Sequence, residues 1–176
     1  ALDNLGVDYI EAGWPGANPT DTEFFQKKHQ FKNSKLTSFG MTKKSGRSAE
    51  NDTGLSAIMN SNTSAVCLVG KSWDFHVDVA LGITNEENLN NISDSAKHFV
   101  KAKKEFMFDA EHFFDGYKTN PKYAVSCIKA AYDQGARWVI LCDTNGGTLP
   151  HEVTKIVSEV TKVVPGKNLG IHAHND

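Results

Sequence analysis

The residues best suited to chemistry in this chain are two histidines close to its end, His172 and His174. Side chains alternate between the two faces of a β-strand, so histidines two positions apart point the same way. Two imidazoles on one face can bind the same divalent cation, at about 2.0–2.1 Å from each nitrogen. A His-x-His pair also fits an ordinary polar strand end. Whether this pair binds a metal therefore depends on which other side chains the preceding elements bring to the same place.

Five earlier segments also have the pattern of apolar strands that end in polar or glycine-rich turns. The clearest is 138–142, a continuous apolar run of the kind found in parallel strands buried on both faces. The other four predicted strands are 7–12, 35–39, 65–69 and 105–109. Helical patterns separate them, from Thr20 or Asp21 to near Gln30, from about 45 to 59, from 85 to 104, from Pro121 to Gly135, and from Pro150 to Pro165.

Regular alternation of strand and helix predicts a parallel sheet with right-handed crossovers. A doubly wound sheet and a (β/α)8 barrel both fit this pattern. No Gly-x-Gly-x-x-Gly follows the first predicted strand, which weakens the dinucleotide-binding version. Polar residues at nearly every strand end favour the barrel, where sites are built from several strand termini. The predicted fold is therefore part of a (β/α)8 (TIM) barrel.

Composition limits the partners that the chain could have. Its 176 residues suit one domain, and a formal net charge of −2 gives no basic surface for nucleic acid. There is no signal peptide and no long apolar span, so no membrane partner is expected. Cys67, Cys127 and Cys142 lack Cys-x-x-Cys spacing, and we interpret them as buried, reduced thiols of a cytoplasmic protein.

The predicted strand ends carry carboxylates, hydroxyls, a lysine and imidazoles. Taken singly, each residue has an ordinary explanation, such as a solvated loop for Glu11 or a simple turn at 143–147. Together at one barrel mouth they would suit a metal that polarises a carbonyl and a base that removes a proton. The candidates are Glu11, Ser38, Lys71, Asp109, Glu111, Asp143, Thr144, His172 and His174.

Four motifs carry a more specific resemblance. They are residues 10–19 (Ile-Glu-Ala-Gly-Trp-Pro-Gly-Ala-Asn-Pro), 70–77 (Gly-Lys-Ser-Trp-Asp-Phe-His-Val), 141–150 (Leu-Cys-Asp-Thr-Asn-Gly-Gly-Thr-Leu-Pro) and 172–176 (His-Ala-His-Asn-Asp). In order and type they resemble motifs of citramalate synthases. These enzymes belong to the metal-dependent barrels that include 2-isopropylmalate synthase, homocitrate synthase and hydroxymethylglutaryl-CoA lyase. The resemblance runs along the whole chain.

The resemblance implies roles for five residues. It makes His172 and His174 ligands of a divalent cation, which would be Zn2+, Mn2+ or Mg2+. It places Thr144 against a 2-oxo acid and Glu111 at the reacting centre as an acidic catalytic residue. Glu11 would support a substrate-binding arginine that the family carries on its first strand and that this chain lacks.

The resemblance also implies an activity and a place in a larger protein. The activity is condensation of acetyl-CoA with a 2-oxo acid, pyruvate giving citramalate, in branched-chain amino-acid biosynthesis by a homodimeric enzyme. The chain would correspond to about strands two to seven of the catalytic barrel, without the first strand, the eighth strand and any regulatory domain. We expect such a piece to be inactive by itself.

Two other interpretations remain open at the level of sequence. The acceptor could be 2-oxoisovalerate, as in 2-isopropylmalate synthase, or the substrate of another family member. Alternatively, the chain could be a metal-binding or interaction module without catalytic activity.

Overall fold

Six parallel strands form one sheet in this computed structural model, which describes residues 1–174. The strands lie side by side in the order in which they occur along the chain. This arrangement confirms the predicted partial (β/α)8 barrel. The strands are β1 (Tyr9–Glu11), β2 (Lys35–Met41), β3 (Ala65–Lys71), β4 (Glu105–Glu111), β5 (Trp138–Asp143) and β6 (Leu169–Ala173).

Helices connect successive strands. Several begin where a side-chain oxygen accepts a backbone N–H of the first turn, as Asn18 does for Asp21 and Thr84 does for Glu87. They are α1 (Leu2–Leu5), α2 (Pro19–Gln26), α3 (Thr53–Met59), α4 (Asp74–His76), α5 (Asn85–Lys101), α6 (Phe113–Thr119), α7 (Pro121–Tyr132) and α8 (Pro150–Val160). Short 3₁₀ turns lie at Ala49–Asn51 and Gly166–Asn168, and a π-helical turn at Val77–Leu81.

The two faces of the sheet have different surroundings. The outer face packs against the helices and forms the main hydrophobic core, in which a fully buried side chain contributes about 1.5–3 kcal/mol. That core includes Val66, Leu68, Phe106, Phe108, Val139 and Leu141 from the strands and Ile92, Phe99 and Ile128 from the helices. The concave face has a smaller cluster of Ala65, Cys67 and Met107. Chemistry on this sheet is therefore restricted to the concave face and its rim.

A polar network closes the N-terminal end of the concave face. The hydroxyl of Tyr9 donates a hydrogen bond to Glu105, which also forms an ion pair with Lys35. The indole N–H of Trp138 donates to the Tyr9 hydroxyl at 3.1 Å, and the guanidinium of Arg137 lies 4.0 Å from the Trp138 ring centroid. The network joins β1, β2, β4 and β5 at the end of the sheet opposite to the predicted site.

Several predicted boundaries were wrong. Strands β2, β3 and β4 each run two residues further than predicted, so Gly40 lies inside β2 instead of closing it. A Cβ at Gly40 would lie 2.2 Å from Cδ1 of Ile58, which explains why glycine stands there. The first strand is shorter than predicted, three residues instead of six.

The helix predictions also need correction. Helix α2 ends at Gln26 rather than near Gln30, because Lys27 already has extended backbone angles. Helix α5 ends at Lys101 rather than at Lys104, and Lys103 has a positive φ of 60°. Helix α6 was not predicted, since no glycine or proline separates it from β4.

Two other expectations can be compared with the structure directly. All three cysteines are buried and free, as predicted. Within residues 1–174, no helix has both the length and the apolar composition needed to cross a membrane.

Candidate active site

The concave face gathers titratable side chains where the strands end. Alternation along each strand places Glu11, Asp109, Glu111, Cys142 and His172 on the same face as the small inner cluster around Met107. The C-terminal ends of parallel strands lie at one edge of the sheet, so these side chains come from distant parts of the sequence to one place. The edge therefore combines carboxylates, a thiol and an imidazole.

The two histidines lie on one face, as the strand pattern predicts. Their ring centroids are 5.0 Å apart and the rings are nearly parallel, with an interplanar angle of 23°. Both residues are exposed. The turn at Gly146 has a positive φ of 66°, and a Cβ there would lie 3.1 Å from the carbonyl oxygen of His174. The turn therefore lies directly against the end of the histidine strand. Asn175 and Asp176 of the motif lie outside the described residues.

A second group of possible ligands shares His172. A carboxylate oxygen of Asp109, the sulfur of Cys142 and a ring nitrogen of His172 all lie within 4.8 Å of one another. Cys142 and His172 are paired in the register of β5 and β6. Asp109 was one of the strand-end candidates predicted from the sequence, whereas Cys142 was predicted only to be a buried thiol. Two-residue alternation from a concave-face residue of β5 would have identified it.

The protein environment disfavours ionisation of two carboxyl groups here. Burial raises the pKa of Asp109, against smaller opposing effects of the Cys67 thiol and of His172. The carboxyl of Glu11 is also crowded by protein atoms, although the residue as a whole remains accessible from the open side of the sheet. This crowding and the nearby Asp109 carboxylate raise the pKa of Glu11. A cation at this position would relieve the repulsion between the two groups.

Glu111 has a cationic partner. Its Oε2 lies 2.5 Å from Nζ of Lys71 on the neighbouring strand, and both side chains are largely shielded, at 23% and 15% exposure. Its backbone carbonyl accepts the hydroxyl proton of Ser72 at 2.7 Å, which joins the ends of β3 and β4. The carboxylate of Glu111 is thus held at a fixed place on the rim.

Thr144 is oriented by the backbone that follows β4. Its Oγ1 accepts the backbone N–H of His112 at 2.9 Å, and His112 has a positive φ of 54° at the start of α6. Because a hydroxyl has one proton to donate, an oxygen that accepts this N–H still has its own O–H for another acceptor. Helix α6, which was not predicted, therefore has a part in orienting the site.

Two strand-end candidates do not face the site. Ser38 is fully buried on the outer side of β2, where its hydroxyl lies 3.0 Å from that of Thr63. Asp143 is also buried and accepts the backbone N–H and the hydroxyl of Thr148, at 3.0 Å and 2.8 Å. Both alternate with concave-face residues and so point to the opposite side. They stabilise a strand and a turn.

A cavity of about 730 Å3 opens beside the rim. It lies between the loops that follow β1, β2 and β3, and Lys71 is in its lining. Because the same lysine is paired with Glu111, the cavity adjoins the acidic group on the rim. Its other lining residues include Trp14, Met41, Lys43, Lys44, Leu81 and Asn91.

The donor set fits a divalent cation. The two imidazoles of His172 and His174 are nitrogen ligands of the kind found at zinc and manganese sites, and a carboxylate oxygen of Asp109 lies within 4.8 Å of a ring nitrogen of His172. All three side chains can be reached from the open side of the sheet.

Comparison with known proteins gives consistent results along the whole chain. A family model described as HMGL-like matches residues 1–176. The (R)-citramalate synthase of Aquifex aeolicus is 51% identical over 177 aligned positions, covering 99% of this chain and 34% of that protein. The (R)-citramalate synthase of Geobacter sulfurreducens is 46% identical with 99% and 33% coverage, and a homocitrate synthase of Saccharolobus islandicus is 31% identical with 100% and 37% coverage. The chain thus spans about a third of the length of these relatives.

Solved structures agree on the fold. Hydroxymethylglutaryl-CoA lyase from Bacillus subtilis superposes with a TM-score of 0.81 at 15% identity, covering 99% of this chain and 58% of that one. The lyase from Pseudomonas aeruginosa gives a TM-score of 0.79 at 17% identity, with 98% and 58% coverage. At these identities the similarity supports the barrel architecture alone.

Proposed function

Because the chain belongs to the HMGL-like family, we propose that the protein containing it condenses acetyl-CoA with pyruvate to form citramalate. The observation that carries the proposal is the similarity to (R)-citramalate synthases along the entire chain, which exceeds the similarity to homocitrate synthases. The same relatives support a metal-dependent acyltransferase over a non-catalytic module. Buried free thiols at Cys67, Cys127 and Cys142 support a cytoplasmic location.

We assign His172 and His174 as ligands of a divalent cation, which is Zn2+, Mn2+ or Mg2+. A cation held there would supply Lewis-acid stabilisation of negative charge on the keto oxygen of the acceptor. The support from the structure is that the two rings lie side by side on the concave face, and that the His172 ring lies close to the carboxylate of Asp109.

Glu111 is the proposed proton-transfer residue. The reaction removes a proton from the methyl group of acetyl-CoA, joins that carbon to the ketone carbon of pyruvate, and adds a proton to the former ketone oxygen. Water then cleaves the thioester and releases CoA. The carboxylate of Glu111 is suited to the proton transfers because Lys71 holds it at the rim, beside the cavity.

Thr144 and Glu11 are the proposed substrate-binding residues. The hydroxyl of Thr144 already accepts the N–H of His112, so its proton is available to a carboxylate oxygen of pyruvate. Glu11 lies near Asp109 on the concave face, where it would orient a cationic side chain that binds the substrate.

The cavity at the rim is the proposed site of acetyl-CoA. Its volume lies within the range of small-molecule sites. Lys44 in its lining supplies a positive charge that suits phosphate groups, and Lys71 links the cavity to Glu111.

The test is an acceptor comparison with the full-length protein. Release of free CoA thiol from acetyl-CoA would be measured with pyruvate, 2-oxoisovalerate and 2-oxoglutarate at equal concentrations, and products identified by mass spectrometry. We expect the highest kcat/KM with pyruvate and citramalate as the product. A preference for 2-oxoisovalerate would make the protein a 2-isopropylmalate synthase. No CoA release with any acceptor would overturn the enzymatic proposal.

A further inference from the structure

The group formed by Asp109, Cys142 and His172 differs in kind from the histidine pair. It draws one donor from each of three consecutive strands, and the donors are an oxygen, a sulfur and a nitrogen. Cys142 and His172 face each other across β5 and β6. Asp109 pairs with Ile140, so it lies diagonally next to Cys142 on the same face. A strand end with a purely structural role does not require this combination.

The donor set selects a class of metal. Thiolate ligands favour soft or borderline cations such as Zn2+ and Co2+, whereas Mg2+ prefers oxygen ligands. In a tetrahedral zinc site with ordinary bond lengths, neighbouring ligand atoms lie about 3.3–3.8 Å apart. The three atoms here lie within 4.8 Å of one another, so binding would need to draw them closer by at most about 1–1.5 Å. His172 is exposed and can supply that movement.

We propose that Asp109, Cys142 and His172 form a second, thiophilic metal site that competes with the histidine pair for His172. The proposal rests on the function assigned above, in which His172 and His174 hold the catalytic cation. One imidazole cannot occupy both positions, so the two arrangements exclude each other. Binding at the thiol-containing site would therefore switch the catalytic arrangement off.

Binding of a cation to Cys142 replaces the proton on its sulfur. The S–H bond of Cys142 breaks, a bond from sulfur to the metal forms, and the proton passes to water. Nothing is oxidised or reduced. At neutral pH, where an ordinary thiol is mainly protonated, each cation bound in this way releases about one proton from sulfur.

The functional consequence is a dependence on the type of metal. Mn2+ or Mg2+ should support condensation over a wide range of concentration. Excess Zn2+ should inhibit it, because the added thiolate bond draws His172 towards Cys142. The Cys142→Ser variant should lose this inhibition while keeping activity with Mn2+.

Co2+ binding tests the site directly, since thiolate coordination gives an intense near-ultraviolet charge-transfer band that imidazole and carboxylate ligands do not give. The full-length protein would be titrated with Co2+ alone. We expect the band in the wild-type protein, its loss in Cys142→Ser, and its weakening by at least several-fold in Asp109→Asn. It should persist in His174→Ala, and in Cys127→Ser as a thiol control on helix α7.

Each other result would contradict the proposal. Bound Co2+ without the band would show that no thiol coordinates. A band that survives in Cys142→Ser and disappears in Cys67→Ser would assign the ligand to the neighbouring thiol instead. Circular dichroism of each variant excludes loss of folding as the cause. Condensation with Mn2+ is measured separately, so a protein that shows the band but forms no citramalate would contradict the proposed function and leave the metal site standing.

Discussion

Glu111 is the residue whose substitution should separate chemistry from folding most clearly. Glutamine keeps the shape of the side chain but cannot accept a proton, so Glu111→Gln should lower kcat by about 10²–10⁴-fold. The melting temperature should change little, because residues at the ends of barrel strands serve the site more than the core. Steady-state kinetics and thermal melts of the full-length protein provide the measurement.

A matched control exists in another lysine-paired glutamate. Glu152 on α8 forms an ion pair with Lys118 at 3.1 Å, away from the concave face. Glu152→Gln should leave kcat unchanged. A sharp fall in melting temperature for Glu111→Gln, with normal activity per folded molecule, would instead assign Glu111 a structural role.

At the scale of residues, the sequence could identify which strands carry polar ends but not always which face each side chain occupies. Alternation correctly predicted that His172 and His174 share one face. It did not show which strand-end residues face the concave side, because a continuous apolar strand such as β5 gives no signal of which side that is. Glu11 and Glu111 lie on that side, whereas Ser38 and Asp143 do not. The ion pair between Lys71 and Glu111 depends on the register of two strands, which no local pattern encodes.

Among the secondary-structure elements, helix α6 packs tightly against the loop after β3, and the substitution Gly116→Ala tests this contact. A Cβ at Gly116 would lie 2.4 Å from the carbonyl oxygen of Ser72. Helix propensity alone would favour alanine over glycine by about 1 kcal/mol. We expect the clash to outweigh this gain, so Gly116→Ala should destabilise the protein by about 1–3 kcal/mol in urea denaturation.

Gly147→Ala is the appropriate control, since a Cβ there would have no atom within 4 Å. Its stability should equal or slightly exceed that of the wild type, because alanine reduces the entropy of the unfolded chain. Equal stability of both variants would show that α6 can move away from the loop at no cost.

Strands with continuous apolar sequences and helices with clear capping residues were predicted from the sequence. Helices that follow a strand without an intervening glycine or proline were missed. The π-helical turn Val77–Leu81 and helix α6 both start within a few residues of a strand. In each, tertiary packing of aromatic and apolar side chains decides the backbone conformation, and periodicity over so few residues carries little information. His112 joins β4 to α6 with a positive φ, a conformation that is uncommon for residues other than glycine but that histidine adopts more often than most.

At the scale of the whole molecule, the network at the N-terminal end should make stability depend on pH. Burial alone would raise the pKa of Glu105, but hydrogen bonds from Lys35 and Tyr9 hold it below its ordinary value. A lowered pKa of an acid stabilises the fold above the ordinary value of about 4.3, and this contribution disappears as the pH falls through the lowered pKa. The Glu105→Gln variant should therefore melt below the wild type at pH 7, and the gap should close in acid.

Glu159→Gln serves as the comparison, because Glu159 pairs with Lys162 on an exposed surface where such pairs contribute little. Its melting temperature should follow the wild type at every pH. A gap for Glu105→Gln that does not change with pH would mean that hydrogen bonding, not charge, stabilises this end of the sheet.

The open sheet also bears on how the 176 residues should behave by themselves. Within the described part of the chain, β1 and β6 each pair with one neighbour, and unpaired backbone groups on such edges promote association. We expect the 176-residue chain expressed alone to self-associate in size-exclusion chromatography and to release no CoA from acetyl-CoA with pyruvate. A soluble monomer that turns over pyruvate would refute this.

The turn that carries Thr144 also controls how fast Asn145 should deamidate to aspartate during storage. Asn145 precedes Gly146, a pair in which the glycine nitrogen can attack the asparagine side chain and convert it to aspartate. In the folded turn that nitrogen donates to the carbonyl oxygen of Asp143 at 3.0 Å, and the side-chain amide of Asn145 donates to Asp115 at 3.0 Å. Peptide mass mapping after storage should thus show slow deamidation at Asn145 in the native protein and fast deamidation in urea. Once formed, an aspartate at this position would repel Asp115 and destabilise the turn beside the histidine strand. Because deamidation requires the turn to open, the amount of aspartate formed would measure how often the turn opens in the folded protein.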